Sequence, residues 1–227
     1  MIICSSATSF GASTVVFEIV LNTMLCLYSN MRFSKREKTA ILKTWIAISI
    51  AFAIFMTDNF SSILSWQFLV NIILAGVTAG LGVILHEVAH KYFANKYGAY
   101  AEYESNDQML LLTIIISFFR VIFAAPGAVK IIGHLNRKER GLVALAGPLC
   151  NFLLGLIFLA LFFVLSPTLR LVASYGLIIN SWIALFNMIP ALSFDGAKIW
   201  EYNKLTYFGT TALIIILFLS QVPLKLF

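Results

Sequence analysis

His86 and His90 stand four residues apart, with Glu87 between them, in the stretch LHEVAHK at 85–91. On an α-helix, positions i and i+4 share one face and lie about 6 Å apart along the axis. Both imidazoles can then turn a nitrogen toward one ion, and Glu87 can reach a water beside it. This is the His-Glu-x-x-His pattern, which supplies two zinc ligands and the general base of a metalloprotease. The residues before it, FLVNIILAGVTAGLGVIL at 68–85, carry no charge at all. Ionisable side chains that close such a helix are costly in lipid, which marks them as functional. His134, the remaining histidine of the chain, falls in a polar loop and reads as a surface or packing residue.

A catalytic zinc takes three protein ligands and keeps one position open for water. The missing ligand must come from elsewhere, and acidic residues at apolar depth are few. Glu18 sits in an N-terminal segment and Asp58 follows a span. Asp195 stands in NMIPALSFDG at 187–196, just beyond an apolar stretch. There Pro190 breaks the helix and Gly196 loosens the backbone. A broken helix at membrane depth is tolerated where it lines a cavity or is buried in protein. Asp195 is therefore the predicted third ligand, and its alternative reading is an ordinary turn aspartate.

The elements that must position these residues follow from composition. The chain has 227 residues, 60% of them hydrophobic and 11% charged, with a mean hydropathy of +0.92. A soluble domain carries about 25% charge. A transmembrane helix needs about 20 mostly apolar residues, and five stretches qualify: 39–57, 68–90, 141–165, 169–190 and 205–222. The segment 11–28, which contains Glu18, is a weaker sixth. The fold class is thus an all-α membrane protein, a polytopic bundle of about five to six transmembrane helices. Strand-like stretches at 98–107 and 126–136 predict small membrane-associated β-hairpins. Residues 1–38 read as an N-terminal segment and 39–227 as a membrane-embedded domain with no appended soluble domain. Met31 opens MRFSKREK, a plausible native start.

Charge sets the orientation. Basic residues cluster at 32–43, at Lys91 and Lys96, at 130–140 and at Lys198 and Lys204. The positive-inside rule places all of them in the cytoplasm, so the net charge of +6 implies no nucleic-acid partner. That arrangement requires 109–123, which contains Arg120, not to cross. Metal geometry demands the same. His86, His90 and Asp195 all lie at or beyond C-terminal helix ends, and they meet only if an odd number of crossings separates them. The 141–165 span supplies that crossing. Cys4, Cys26 and Cys150 have no metal-binding spacing and no disulfide pattern.

Three motifs in order, HEVAH at 86–90, AGPLCN at 146–151 and NMIPALSFDG at 187–196, give the chain its likeness to a known family. It resembles the site-2 protease family of intramembrane zinc metalloproteases, in particular archaeal or bacterial members without a PDZ domain. The resemblance covers roughly 68–200 and implies a core of the helices 68–90, 141–165 and 169–190. It implies one Zn²⁺ per chain held by His86, His90 and Asp195, with Glu87 catalytic. It implies cleavage of peptide bonds in or next to transmembrane segments of membrane-anchored protein substrates. The setting would be the cell membrane, crossed several times, with the site open to the cytoplasm. The hairpins would hold an unwound substrate by strand addition. Asn151 and Asn187 are motif positions that either contact substrate or bond helix to helix. Gly147 and Pro148 read as shaping a helix start, and Gly76 with Gly80 as a small-residue pair that admits a neighbouring helix. Two other readings fit the residues: a metal transporter or sensor, and a catalytically silent relative that binds partners.

Overall fold

The computed structural model describes residues 31–57, 59–121, 127–191 and 193–224. The predicted helix at 11–28, Glu18, Cys4, Cys26, Asp58 and the segment preceding Met31 lie outside the described residues.

Helix α1 (Lys35–Phe55) starts at Ser34, whose hydroxyl accepts from the Glu37 amide as an N-cap. A short 3-10 turn (Phe60–Leu64) leads to α2 (Trp66–Lys96), which carries the two histidines. Strand β1 (Tyr100–Ser105) and helix α3 (Asp107–Ser117) follow, then strand β2 (Gly127–Ile132). Helix α4 (Arg137–Val164) opens with a capping box between Asn136 and Glu139. Helix α5 (Pro167–Asn187) has proline in its first turn, where no backbone donor is missed. The chain ends with α6 (Asp195–Tyr202) and α7 (Lys204–Leu219).

Among the described residues, four helices, within α1, α2, α4 and α5, are long and apolar enough to cross a membrane. The predicted span at 205–222 forms α7, which at 16 residues is shorter than the other four. The burial pattern is that of a chain solvated by lipid. Leu153 is 56% exposed and Phe163 64%, while Asn151, Asn180 and Ser181 on the same bundle are fully buried. Apolar clusters fill the seams, one from α1, α2 and α5 around Ile48, Phe52, Ala79 and Ile179, and another where α4 and α5 meet α6 and α7.

In the region 98–136 both predicted strands are present, and β1 and β2 pair antiparallel with each other across the long connection, Tyr100 opposite Ile132 and Ser105 opposite Gly127. Pairing satisfies the amides that the two strands turn toward each other. The long connection departs at Ser105 and rejoins opposite it at Gly127, so it returns to the level it left. Helix α3, with 11 residues, spans about 16 Å and cannot cross. It packs along α1, tied by Lys43 to Asp107 at 2.9 Å and by Arg120 to the Phe55 carbonyl at 2.7 Å.

Gly76 and Gly80 bracket a single π-helical turn in α2. A Cβ on Gly80 would come within 2.7 Å of the Trp45 ring, so α1 approaches α2 there as the small-residue pair predicts. The Trp45 indole N–H donates to the Gly76 carbonyl at 3.0 Å.

Candidate metal centre

The histidines occupy the penultimate turns of α2 and present their rings edge to face, with centroids 4.6 Å apart. Asp195 is the first residue of α6, directly after the turn that Pro190 forces at the end of α5. Its Oδ2 lies 3.2 Å from His86 Nε2 and 3.1 Å from His90 Nε2. One ligand atom from each residue falls within 4.8 Å of the others, and all three residues are buried. Two helices that end on the same side, with α4 running back between them, bring these groups together as the parity of crossings requires.

The far nitrogens of both rings are fixed by groups on α4. His90 Nδ1 lies 2.7 Å from the Val143 carbonyl, which can only accept, so His90 donates from Nδ1. His86 Nδ1 lies 2.6 Å from Asn151 Oδ1 and donates likewise. Each Nε2 is then the nitrogen that faces the Asp195 carboxylate: protonated it donates to that oxygen, and unprotonated it offers a lone pair to a metal ion. Three acceptors that converge on one point suit a small cation, and two imidazoles with a carboxylate are a donor set that zinc accepts. Burial works against the charge on Asp195. The positive charge that His90 can carry and the hydrogen bonds from His86 and His90 outweigh it and hold the carboxyl well below the usual carboxylate range. Asp195 is an anion that answers positive charge at this point, proton or metal ion. Lys198, one turn on, lies 3.7 Å from its other oxygen.

Gly147 is a residue whose part at the centre the sequence did not show. It sits in the interior of α4, as does Pro148, and not at a helix start. The sequence reading of these two residues is corrected: α4 begins at Arg137, nearly three turns before Gly147, because Asn136 and Glu139 cap it there. A Cβ at Gly147 would lie 2.4 Å from His90 Nε2 and 2.5 Å from His86 Nε2. Any other residue would project a side chain into the space the two nitrogens face.

Glu87 lines a cavity of about 440 Å³ together with both histidines, Asp195 and Asn187. Strand β2 forms one wall through Gly127, Ala128, Val129 and Ile131. Arg137, Arg140 and Lys198 ring the cavity's polar end. Asn187 is half-buried and its Nδ2 donates to the Ile183 carbonyl one turn back. Asn151 is fully buried, its Oδ1 on His86 and its Nδ2 shared between the Gly82 carbonyl and Asn180 Oδ1. His134 is exposed in a loop, away from the centre.

Among known proteins, the chain is 38% identical over 179 residues to "Putative zinc metalloprotease MJ0611" of Methanocaldococcus jannaschii, covering 77% of this chain and 88% of that one. The chain belongs to this zinc metalloprotease family. It is also 30% identical over 125 residues to "Zinc metalloprotease MJ0392" of the same organism, across 52% of this chain but only 31% of that protein. No protein-family profile matches the chain, and no solved structure does. The family name agrees with the donor set that the three buried residues present.

Proposed function

We propose that the protein is an intramembrane zinc metalloprotease of the site-2 type. It hydrolyses peptide bonds in or next to the transmembrane segments of membrane-anchored substrates. The observation that carries this reading is the convergence of His86, His90 and Asp195 at apolar helix ends with Glu87 on the same cavity wall. The core is 68–200, the setting is the cell membrane, and the basic helix ends face the cytoplasm.

A zinc ion held by these three side chains supplies a Lewis acid for a carbonyl and a lowered pKa for water. Glu87 takes a proton from the attacking water and returns it to the departing amine nitrogen. The free edge of β2 binds an unwound substrate as an added strand, main chain to main chain. A helical peptide bond is shielded by its own hydrogen bonds, and strand addition holds it extended beside Glu87. Asn187 lines the same cavity, and the N–H that its bond to Ile183 leaves over would donate to the substrate carbonyl. Buried helix walls exclude bulk water, while the polar end of the cavity admits it.

The test is zinc content and cleavage of a membrane-anchored reporter, for wild type beside Glu87→Gln and Asp195→Ala. The wild type should hold about one zinc per chain. Glu87→Gln should keep that zinc and lose cleavage by on the order of 10²–10⁴-fold. Asp195→Ala should lose both. A wild type that binds zinc but cleaves nothing would favour the silent relative. Metal flux that survives Glu87→Gln would favour the transporter.

A further inference from the structure

Asn180 lies on α5, two turns before its end, outside the three sequence motifs and not among the residues that line the cavity of His86, His90 and Asp195. It is fully buried. Its Nδ2 donates to the Gly176 carbonyl at 2.8 Å, and its Oδ1 accepts from Asn151 Nδ2 at 3.0 Å. Asn151 Nδ2 also donates to the Gly82 carbonyl at 3.1 Å, and Asn151 Oδ1 faces His86 Nδ1 at 2.6 Å. The line runs from α5 through α4 to α2 with every member buried.

Each amide in this line can be oriented in one way only. Gly176 and Gly82 offer carbonyl oxygens, which accept and never donate. The Gly176 carbonyl therefore fixes the nitrogen of Asn180 and leaves its oxygen toward Asn151. That oxygen and the Gly82 carbonyl together take both N–H groups of Asn151. Asn151 can then show His86 nothing but an acceptor, so His86 must carry a proton on Nδ1, and Nε2, which faces Asp195 Oδ2 at 3.2 Å, is the nitrogen left for a metal. Were Asn151 flipped, its oxygen would meet the Gly82 carbonyl and Asn180 Oδ1 acceptor to acceptor. The packing leaves little slack, since a Cβ on Gly82 would meet Asn180 Oδ1 at 2.5 Å.

We infer that Asn180 is a positioning residue for the metal centre: through Asn151 it locks His86 in the tautomer whose Nε2 can ligate. His90 is held independently, by the Val143 carbonyl. The two ligands of one helix thus have separate supports, and only one depends on α5. A hydrogen bond to the far nitrogen of a ligating histidine orients the ring and raises its basicity, and losing such partners costs about 10–100-fold in metal affinity. The inference rests on the zinc reading given above, yet the tautomer itself can be read without any metal.

Two variants separate relay from packing. Asn180→Leu removes the acceptor at similar volume, and Asn180→Asp keeps an oxygen facing Asn151. Zinc affinity is measured by chelator competition in detergent. The His86 and His90 tautomers are read from ring ¹⁵N shifts of the metal-free protein, assigned through His86→Ala and His90→Ala. Asn180→Leu should weaken zinc binding at least tenfold and release the Nδ1–H form of His86 alone, while Asn180→Asp stays within a few-fold of wild type. If Asn180→Leu does not fold, Asn180→Ala gives the same reading. Wild-type zinc affinity with an unchanged His86 signal in the Leu or Ala variant would overturn the relay. So would equal losses in the Asp and Leu variants, or disturbance of His90 as well, since either would mark a packing role. If the wild type held no zinc at all, the proposed protease would fall, while the ¹⁵N signals would still decide the relay.

Discussion

A helix that carries His-Glu-x-x-His puts its metal-facing surface against whatever the next helix offers, and here that is the bare backbone of Gly147. The absence of a side chain is what leaves room for three ligand atoms within 4.8 Å of one another. Gly147→Ala would place a methyl group inside contact distance of both Nε2 atoms. It should weaken zinc binding by on the order of tenfold or more, comparable to the loss of an outer-shell partner, without unfolding α4, because alanine is the better helix former. Chelator competition on the folded variant checks this. An unchanged affinity would mean that α4 slides away from α2 at little cost, and Gly147 would then be only a packing residue.

Helix α1 is joined to the ligand-bearing helix by more than apolar contact. The Lys91 ammonium, directly after His90, meets Glu37 at 2.5 Å, and both side chains are almost fully buried. Glu37 also accepts from the Tyr103 amide at 3.0 Å, and Lys91 donates to the Arg32 carbonyl. One ion pair thus pins α1, α2 and β1 beside the metal centre. Breaking such a pair from one side leaves a buried charge with no partner, which costs about 3–5 kcal/mol. Lys91→Leu should lower stability in detergent by that much, read as a shift in the denaturation midpoint. Adding Glu37→Gln should recover most of the loss, because glutamine stays neutral and its oxygen still accepts from Tyr103. A double variant no more stable than the single one would show that the charge balance is not what matters.

The sidedness of the protein follows from where its functional ends meet. Helices α2 and α5 finish, and α4 and α7 begin, at the end that holds His90, Asp195 and the basic residues of the cavity rim. At the opposite ends Ser65 caps α2 through its hydroxyl, and Ser166 stands just before the first residue of α5. Single cysteines introduced at Lys96, Lys138 and Lys204 should therefore react with an impermeant maleimide from one and the same face of a sealed vesicle, which the proposed orientation makes the cytoplasmic one. Cysteines at Ser65 and Ser166 should react from the other. Labelling of Lys138 and Lys96 from opposite faces would require the stretch between β1 and β2 to cross. It would break the meeting of Asp195 with the histidines.

Much of this protein was legible in the order of its residues, because lipid is a harsh solvent with few rules. A polar group that must be satisfied, a span that must be about 20 residues long and a charge that must stay on one side leave few arrangements. HEVAH, Asp195 after Pro190 and the non-crossing 109–123 follow from those rules together with helix periodicity. The pairing of β1 with β2 across a long connection did not, since period-two alternation says that a strand exists and nothing about its partner. Nor did the part played by Gly147 or the line from Asn180 to His86. A missing side chain has no chemistry of its own to read, and an amide's role depends on which carbonyls surround it. Those surroundings come from α2, α4 and α5 and exist only once the helices have packed.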